Sequence, residues 1–128
     1  MSEPPVLSPS GLPEISTDDR TMALLAHLSM FIAPFVGPII LWALKKDTSP
    51  FVAYHAIQAA VFQGVSYAII FVLTFAGVIG SMACPCCGLV SMASFVVVFG
   101  AIYPAIKSYN GEWVGYPLLD GIGRPPGV

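Results

Sequence analysis

Residues 51–106, FVAYHAIQAAVFQGVSYAIIFVLTFAGVIGSMACPCCGLVSMASFVVVFGAIYPAI, contain no Asp, Glu, Lys or Arg. Roughly 20 apolar residues in a helix cross a hydrocarbon core of about 30 Å. The stretch is too long for one crossing and comfortable for two. Gly80, Pro85 and Gly88 mark a turn near its middle, since glycine and proline punctuate regular structure. The pattern predicts a helix over 51–80 and another over 87–106, with Pro104 near the end of the second. The first would be about 45 Å long, so its opening turns belong at the membrane boundary.

Toward the N-terminus, Met22–Leu44 is another uncharged run, interrupted by Pro34, Gly37 and Pro38. A proline inside a helix removes a hydrogen bond and clashes with the preceding turn. This predicts either a kinked span or two half-helices around a re-entrant break, whose freed backbone groups need protein partners. The expected fold is an all-α integral membrane protein with three transmembrane helices, at about 22–44, 51–80 and 87–106. The first is kinked or broken at Pro34–Pro38, and the membrane domain covers 18–107.

The ends read differently. Residues 1–17 are rich in Pro and Ser and read as a disordered tail. Ser16, Thr17 and Asp18 suit a helix N-cap, and Ser49 followed by Pro50 suits the start of span two. Residues 108–128, SYNGEWVGYPLLDGIGRPPGV, mix aromatics, Gly and Pro and read as an interfacial C-terminal tail. No basic stretch leads into an early apolar segment, so Met22–Leu44 is read as retained.

Composition agrees with a bilayer setting. The chain is 56% hydrophobic and 9% charged over 128 residues, with a mean hydropathy of +0.82. A soluble domain carries about 25% charged residues, and twelve charged side chains do not cover a globular surface. The net charge of −2 gives no reason to expect nucleic-acid binding. Lys45, Lys46, Lys107 and Arg124 fall on one side of a three-span chain, with Arg20 on the other. Basic residues favour the cytoplasmic side. This predicts an inner-membrane protein with its N-terminus and Cys turn outside and its C-terminus in the cytoplasm.

Three groups of residues are candidates for function. Ala56, Ala60, Gly64 and Ala68 recur every fourth residue and form a small-residue ridge suited to helix packing. His55, Gln58, Gln63 and Ser66 form a polar strip on the other side, which can serve helix-bridging hydrogen bonds or a polar path. Gln63 is expected to reach the Pro34–Pro38 segment, while His55 stays near water. Cys84, Cys86 and Cys87 are candidate soft-metal ligands, although three Cys within four residues depart from the usual zinc spacing. His27 and His55 fall near opposite faces and cannot share a metal. No catalytic set and no cofactor motif stand out.

The segments DDRTMALLAHLSMF, GPIILWALKKDTSPFVAYHAIQAAVFQ and NGEWVGYPLLDGIG, in that order, resemble a family of small bacterial membrane proteins of unknown function. That family is described as similar to the chloroplast inner-envelope protein-import channel subunit. The resemblance covers about residues 18–123 and implies an architecture with little biochemistry. The expected function is non-enzymatic, a helix-packing scaffold or small subunit of a transport or envelope assembly. Its partners would be the lipid bilayer and either further copies or other membrane proteins. The alternative is a thiol-dependent soft-metal carrier, since adjacent Cys on three spans look like the mercuric-ion transport proteins.

Overall fold

The computed structural model describes residues 14–84 and 92–126. Among these the regular elements are all helical: α1 (Thr17–Leu28), α2 (Val36–Lys45), α3 (Pro50–Ser81), α4 (Ala93–Gly100) and α5 (Ile102–Tyr109). The expected N-terminal tail falls mostly outside the described residues.

Helix α1 begins where the sequence suggests. The Ser16 side chain accepts a hydrogen bond from the Asp19 backbone N–H at 3.1 Å, and Asp18 and Asp19 sit in the first turn, where the helix dipole favours negative charge. The helix stops at Leu28 and passes through one tight turn at Ser29–Phe31. Proline explains the stop. Pro34 offers no N–H to Met30, and Pro38 offers none to Pro34. Phe35 takes up the reversal with φ of 47°, a costly region for a side-chain-bearing residue. Pro38 then falls in the first turn of α2, where a missing N–H is harmless.

The chain turns back at this break. Lys45 Nζ, at the end of α2, lies 3.8 Å from Asp19 Oδ1 near the start of α1. Residues 22–44 are therefore not one crossing but a hairpin of two half-helices. With 12 and 10 residues, they rise only about 18 and 15 Å. Of the three expected spans, the first is thus broken at Pro34–Pro38, and the third, 87–106, lies partly outside the described residues. Helix α3, with 32 residues, is the one described helix long and apolar enough to cross a membrane. Arg20 also lies at the same end as Lys45 and Lys46, not opposite them as a continuous first span required.

Helix α3 starts as predicted, with Ser49 capping the Val52 N–H at 3.3 Å and Pro50 as its first residue. Its first half packs against both half-helices through Ala26, Ala56 and Ala59, with Leu41 alongside. Small side chains there let the backbones approach. Its second half is apolar and exposed at Ile69, Phe71, Val72, Phe75 and Val78, as lipid tails permit and water does not. The returning helix of the bundle is broken as well. Pro104 lacks the N–H that Gly100 would receive, and α4 ends at Gly100. Helix α5 then packs along α1.

Residues beyond Tyr109 are not a tail lying apart. Gly111 turns the chain with φ of 84°, and residues 112–124 fold back over the first half of α3.

Candidate functional site: a buried polar core

The polar strip of α3 is interior. His55, Gln58 and Gln63 are 0% exposed and Ser66 is buried, so the expectation that His55 stays near water is corrected. Each polar group then needs a partner inside the protein, because an unpaired buried polar group costs about 1–3 kcal/mol. The partners come from two places, the break between α1 and α2 and the folded-back C-terminal segment.

Gln63 serves the break. Its Oε1 accepts from the Phe35 N–H at 2.9 Å, while its Nε2 donates to the Ala26 and His27 carbonyls at 3.0 and 3.3 Å. One side chain thus closes the C-terminus of α1 and the entry to α2, and it reaches the Pro34–Pro38 segment as its position suggested. One turn further on, the Tyr67 hydroxyl donates to the Met30 carbonyl at 2.8 Å. That is the carbonyl that Pro34 leaves without its helical donor. A re-entrant break in an apolar setting requires such replacements.

Gln58 holds the C-terminal segment. Its Nε2 donates to the Ile122 carbonyl at 2.7 Å and to the Leu119 carbonyl, and its Oε1 accepts from the Tyr116 N–H at 3.3 Å. Beside it, the Tyr54 hydroxyl donates to Asp120 Oδ1 at 2.6 Å. Arg124 donates to the same carboxylate oxygen at 2.5 Å and to the Trp113 carbonyl at 3.1 Å. The Tyr54 hydroxyl and the Arg124 guanidinium hold the Asp120 carboxyl below its usual range, and Asp120 in turn raises Arg124. Gly115 lies against this cluster. A Cβ there would meet the Tyr54 hydroxyl at 2.5 Å and Gln58 Oε1 at 2.8 Å.

His27 and His55 meet, contrary to the sequence expectation. His27 Nε2 lies 3.2 Å from His55 Nδ1, and His27 Nδ1 lies 3.2 Å from the Tyr116 hydroxyl. A continuous first span would set them near opposite membrane faces. The break after Leu28 instead lays the end of α1 across α3. His55 Nε2 is 3.0 Å from the Glu112 carbonyl. A carbonyl only accepts, so His55 carries its proton on Nε2 and its Nδ1 accepts from His27 Nε2–H. His27 Nδ1 then accepts from the Tyr116 hydroxyl. Burial pushes the Tyr116 phenol up, so it keeps the proton it donates. The chain of donors runs one way, from Tyr116 to Glu112, with both imidazoles neutral. It ends on an amide carbonyl, a poor proton acceptor, so the arrangement fixes tautomers and does not suit proton conduction.

The small-residue ridge divides. Ala56 and Ala60 are buried, but a Cβ added at Gly64 would meet nothing within 4 Å, and Ala68 is exposed. Ala59, which the ridge omits, takes their place in the core. Of the Cys candidates, Cys86 and Cys87 lie outside the described residues, and Cys84 is disulfide-bonded. Among the described residues no group of three His, Cys, Asp or Glu is placed to hold a metal ion.

Sequence reading missed Tyr54, His27, Tyr67, Tyr116, Asp120 and Arg124. One signal was available: Asp120 and Arg124 stand four apart in a segment carrying Gly111, Gly115, Gly121 and Gly123, a density that suits close backbone approach.

Comparison with known proteins adds a family context. The profile of the magnetosome magnetite crystal formation protein family matches residues 18–121. A UPF0132 membrane protein of Archaeoglobus fulgidus is 32% identical over 95 residues, covering 74% of this chain and 84% of that protein. No solved structure matches the chain. These matches and the exposed apolar length of α3 identify a small membrane protein of a family without a defined activity.

Proposed function

The chain belongs to the magnetosome magnetite crystal formation protein family, and from that premise we propose that it is a non-enzymatic scaffold of a membrane assembly, here one concerned with crystal formation. One observation carries the reading. The polar side chains of α3 are spent on the chain's own backbone and on one another, which leaves a rigid body with an apolar outer surface. Such a body suits packing against lipid and neighbouring proteins better than turnover of a substrate.

The reading includes an orientation. Arg20, Lys45, Lys46, Lys107 and Arg124 gather at the end of α3 that begins with Pro50. Disulfide-bonded Cys84 follows the other end. Basic residues favour the cytoplasm, and disulfides persist in oxidising compartments. We place both ends of the membrane domain and the Lys45–Ser49 loop in the cytoplasm, with the Cys turn outside.

Two experiments test this. Crosslinking in intact membranes followed by mass spectrometry should recover defined membrane-protein neighbours, and the purified chain in liposomes should pass no ions. Ion flux through the purified chain, or crosslinks scattered at random, would sink the scaffold reading. For orientation, Ser16→Cys and Asp47→Cys, in a background with Cys84, Cys86 and Cys87 replaced by Ser, should both resist an impermeant maleimide applied from outside. Labelling of residue 16 alone would restore a crossing between the two.

A further inference from the structure

Helix α4 leans on α5 and stands away from α3, and the space between is a groove of about 460 Å³. Phe62, Val65 and Ile69 form one wall, Val96 and Gly100 the other, and Tyr116 of the C-terminal segment closes one end. Apart from Ser66 its lining is almost wholly apolar. Leu118, at the same end as Tyr116, is 97% exposed.

We propose that this groove is a binding site for one acyl chain of a membrane phospholipid. Size selects the occupant. A helix about 10 Å across, rising 5.4 Å per turn, fills on the order of 400 Å³ per turn. The groove therefore seats about one turn of a partner helix, too little for a packed interface, while its volume lies in the range of small-ligand sites. Position agrees. Val65 and Ile69 continue into the exposed apolar face of α3 formed by Phe71, Val72 and Phe75, so the groove opens sideways onto the surface that lipid tails cover.

Shape separates this site from ordinary lipid contact. A tail in the groove is enclosed by α3, by α4 and by the aromatic end, where the Tyr116 ring stacks on Phe62 with centroids 3.7 Å apart and planes 4° from parallel. Gly100 provides the room. A Cβ there would stand 3.8 Å from Phe62 Cζ, an ordinary contact, so a side chain at 100 starts without a clash and extends into the groove. Tyr116 also donates to His27, so the occupant touches the first member of the histidine chain.

The test uses the full chain in phosphatidylglycerol vesicles containing a trace of phosphatidylglycerol with a diazirine on its acyl chain. After irradiation, adducts are mapped by mass spectrometry. Adducts should be several-fold more abundant at Val65, Ile69 and Val96 than at Phe71, Val72 and Phe75, which have similar exposure without enclosure. Gly100→Leu should remove the excess and leave labelling at Phe71 and Phe75 unchanged. Val65→Trp serves the same purpose should Gly100→Leu fail to fold, with protease protection of residues 112–124 reporting the fold. Even labelling of the two sets would overturn the site and leave only annular lipid. With a photoreactive phenylalanine analogue placed at position 65 or 96, crosslinks to another polypeptide would overturn it in favour of a protein contact.

Discussion

His27 Nε2 lies 3.2 Å from His55 Nδ1 at the crossing of α1 and α3, and the direction of that hydrogen bond is set from outside the pair, by the Glu112 carbonyl that His55 Nε2 must serve. His27→Phe keeps a ring of similar bulk but leaves the Tyr116 hydroxyl and His55 Nδ1 unpaired. Each orphaned group should cost about 1–3 kcal/mol, read as a lower Tm in detergent. An unchanged Tm would mean the pair contributes nothing to the fold.

Gln63→Leu should be at least as damaging, since it strips partners from the Phe35 N–H and from the Ala26 and His27 carbonyls together. Tyr67→Phe removes a single donor from Met30 and should cost only about 1 kcal/mol. Thermal melts of the two variants side by side check the ranking. Equal effects would show that Gln63 is not the closure of the break.

Two glycines of the C-terminal segment separate close approach from simple flexibility. Gly115→Ala drives a methyl into Tyr54 and Gln58, whereas Gly121→Ala meets nothing within 4 Å. Limited proteolysis should release residues beyond 111 from the first variant and leave the second intact. Similar digestion of both would refute the packing of Gly115.

Small-to-large changes on α3 should follow the observed core and not the four-residue ridge. Ala59→Leu overfills the contact with Ala26 and Ala56 and should destabilise by roughly 1–3 kcal/mol. Gly64→Leu enters open space and should leave the single chain folded. Its effect, if seen only in membranes, would report a neighbouring molecule.

Acid should loosen the C-terminal segment. The Asp120 carboxyl is held below its usual value by the Tyr54 hydroxyl and by Arg124. A depressed carboxyl contributes stability that is present above its unfolded pKa, about 3.9, and lost as pH falls through the native one. Protection of residues 112–124 from acid-active protease should therefore persist at pH 5 and fall below about pH 4. In Asp120→Asn that step should vanish. An unchanged acid profile in the variant would assign the loss to another group.

Much of the architecture was legible from residues 51–81, because an uncharged apolar run with Ser49–Pro50 at its head admits little else. The caps at Ser16 and Ser49 and the reach of Gln63 to the proline break followed from local chemistry. The hairpin did not, because Pro34 and Pro38 are compatible with both a kink and a reversal. Only the positive φ of Phe35 and the proximity of Asp19 to Lys45 distinguish them. The His27–His55 contact depends on that reversal, so leaving the one open left the other out of sight. The role of Asp120 and Arg124 was hidden for a different reason. Gly- and Pro-rich sequence beyond the last helix reads the same whether it is solvated or folded onto a partner.

The fold-back of residues 112–124 has a consequence for biosynthesis. The ribosome makes His55 and Gln58 some sixty residues before the carbonyls of Glu112, Leu119 and Ile122 that their side chains serve. While the nascent chain is shorter than that, these two residues have no acceptor of their own, and buried amides and imidazoles must be paired. The first half of α3 therefore stays wet, or held by another molecule, until the last segment emerges. Completion of the polar core is a terminal event, and a ribosome stalled anywhere before residue 112 leaves an inserted α3 with an open, hydrated flank.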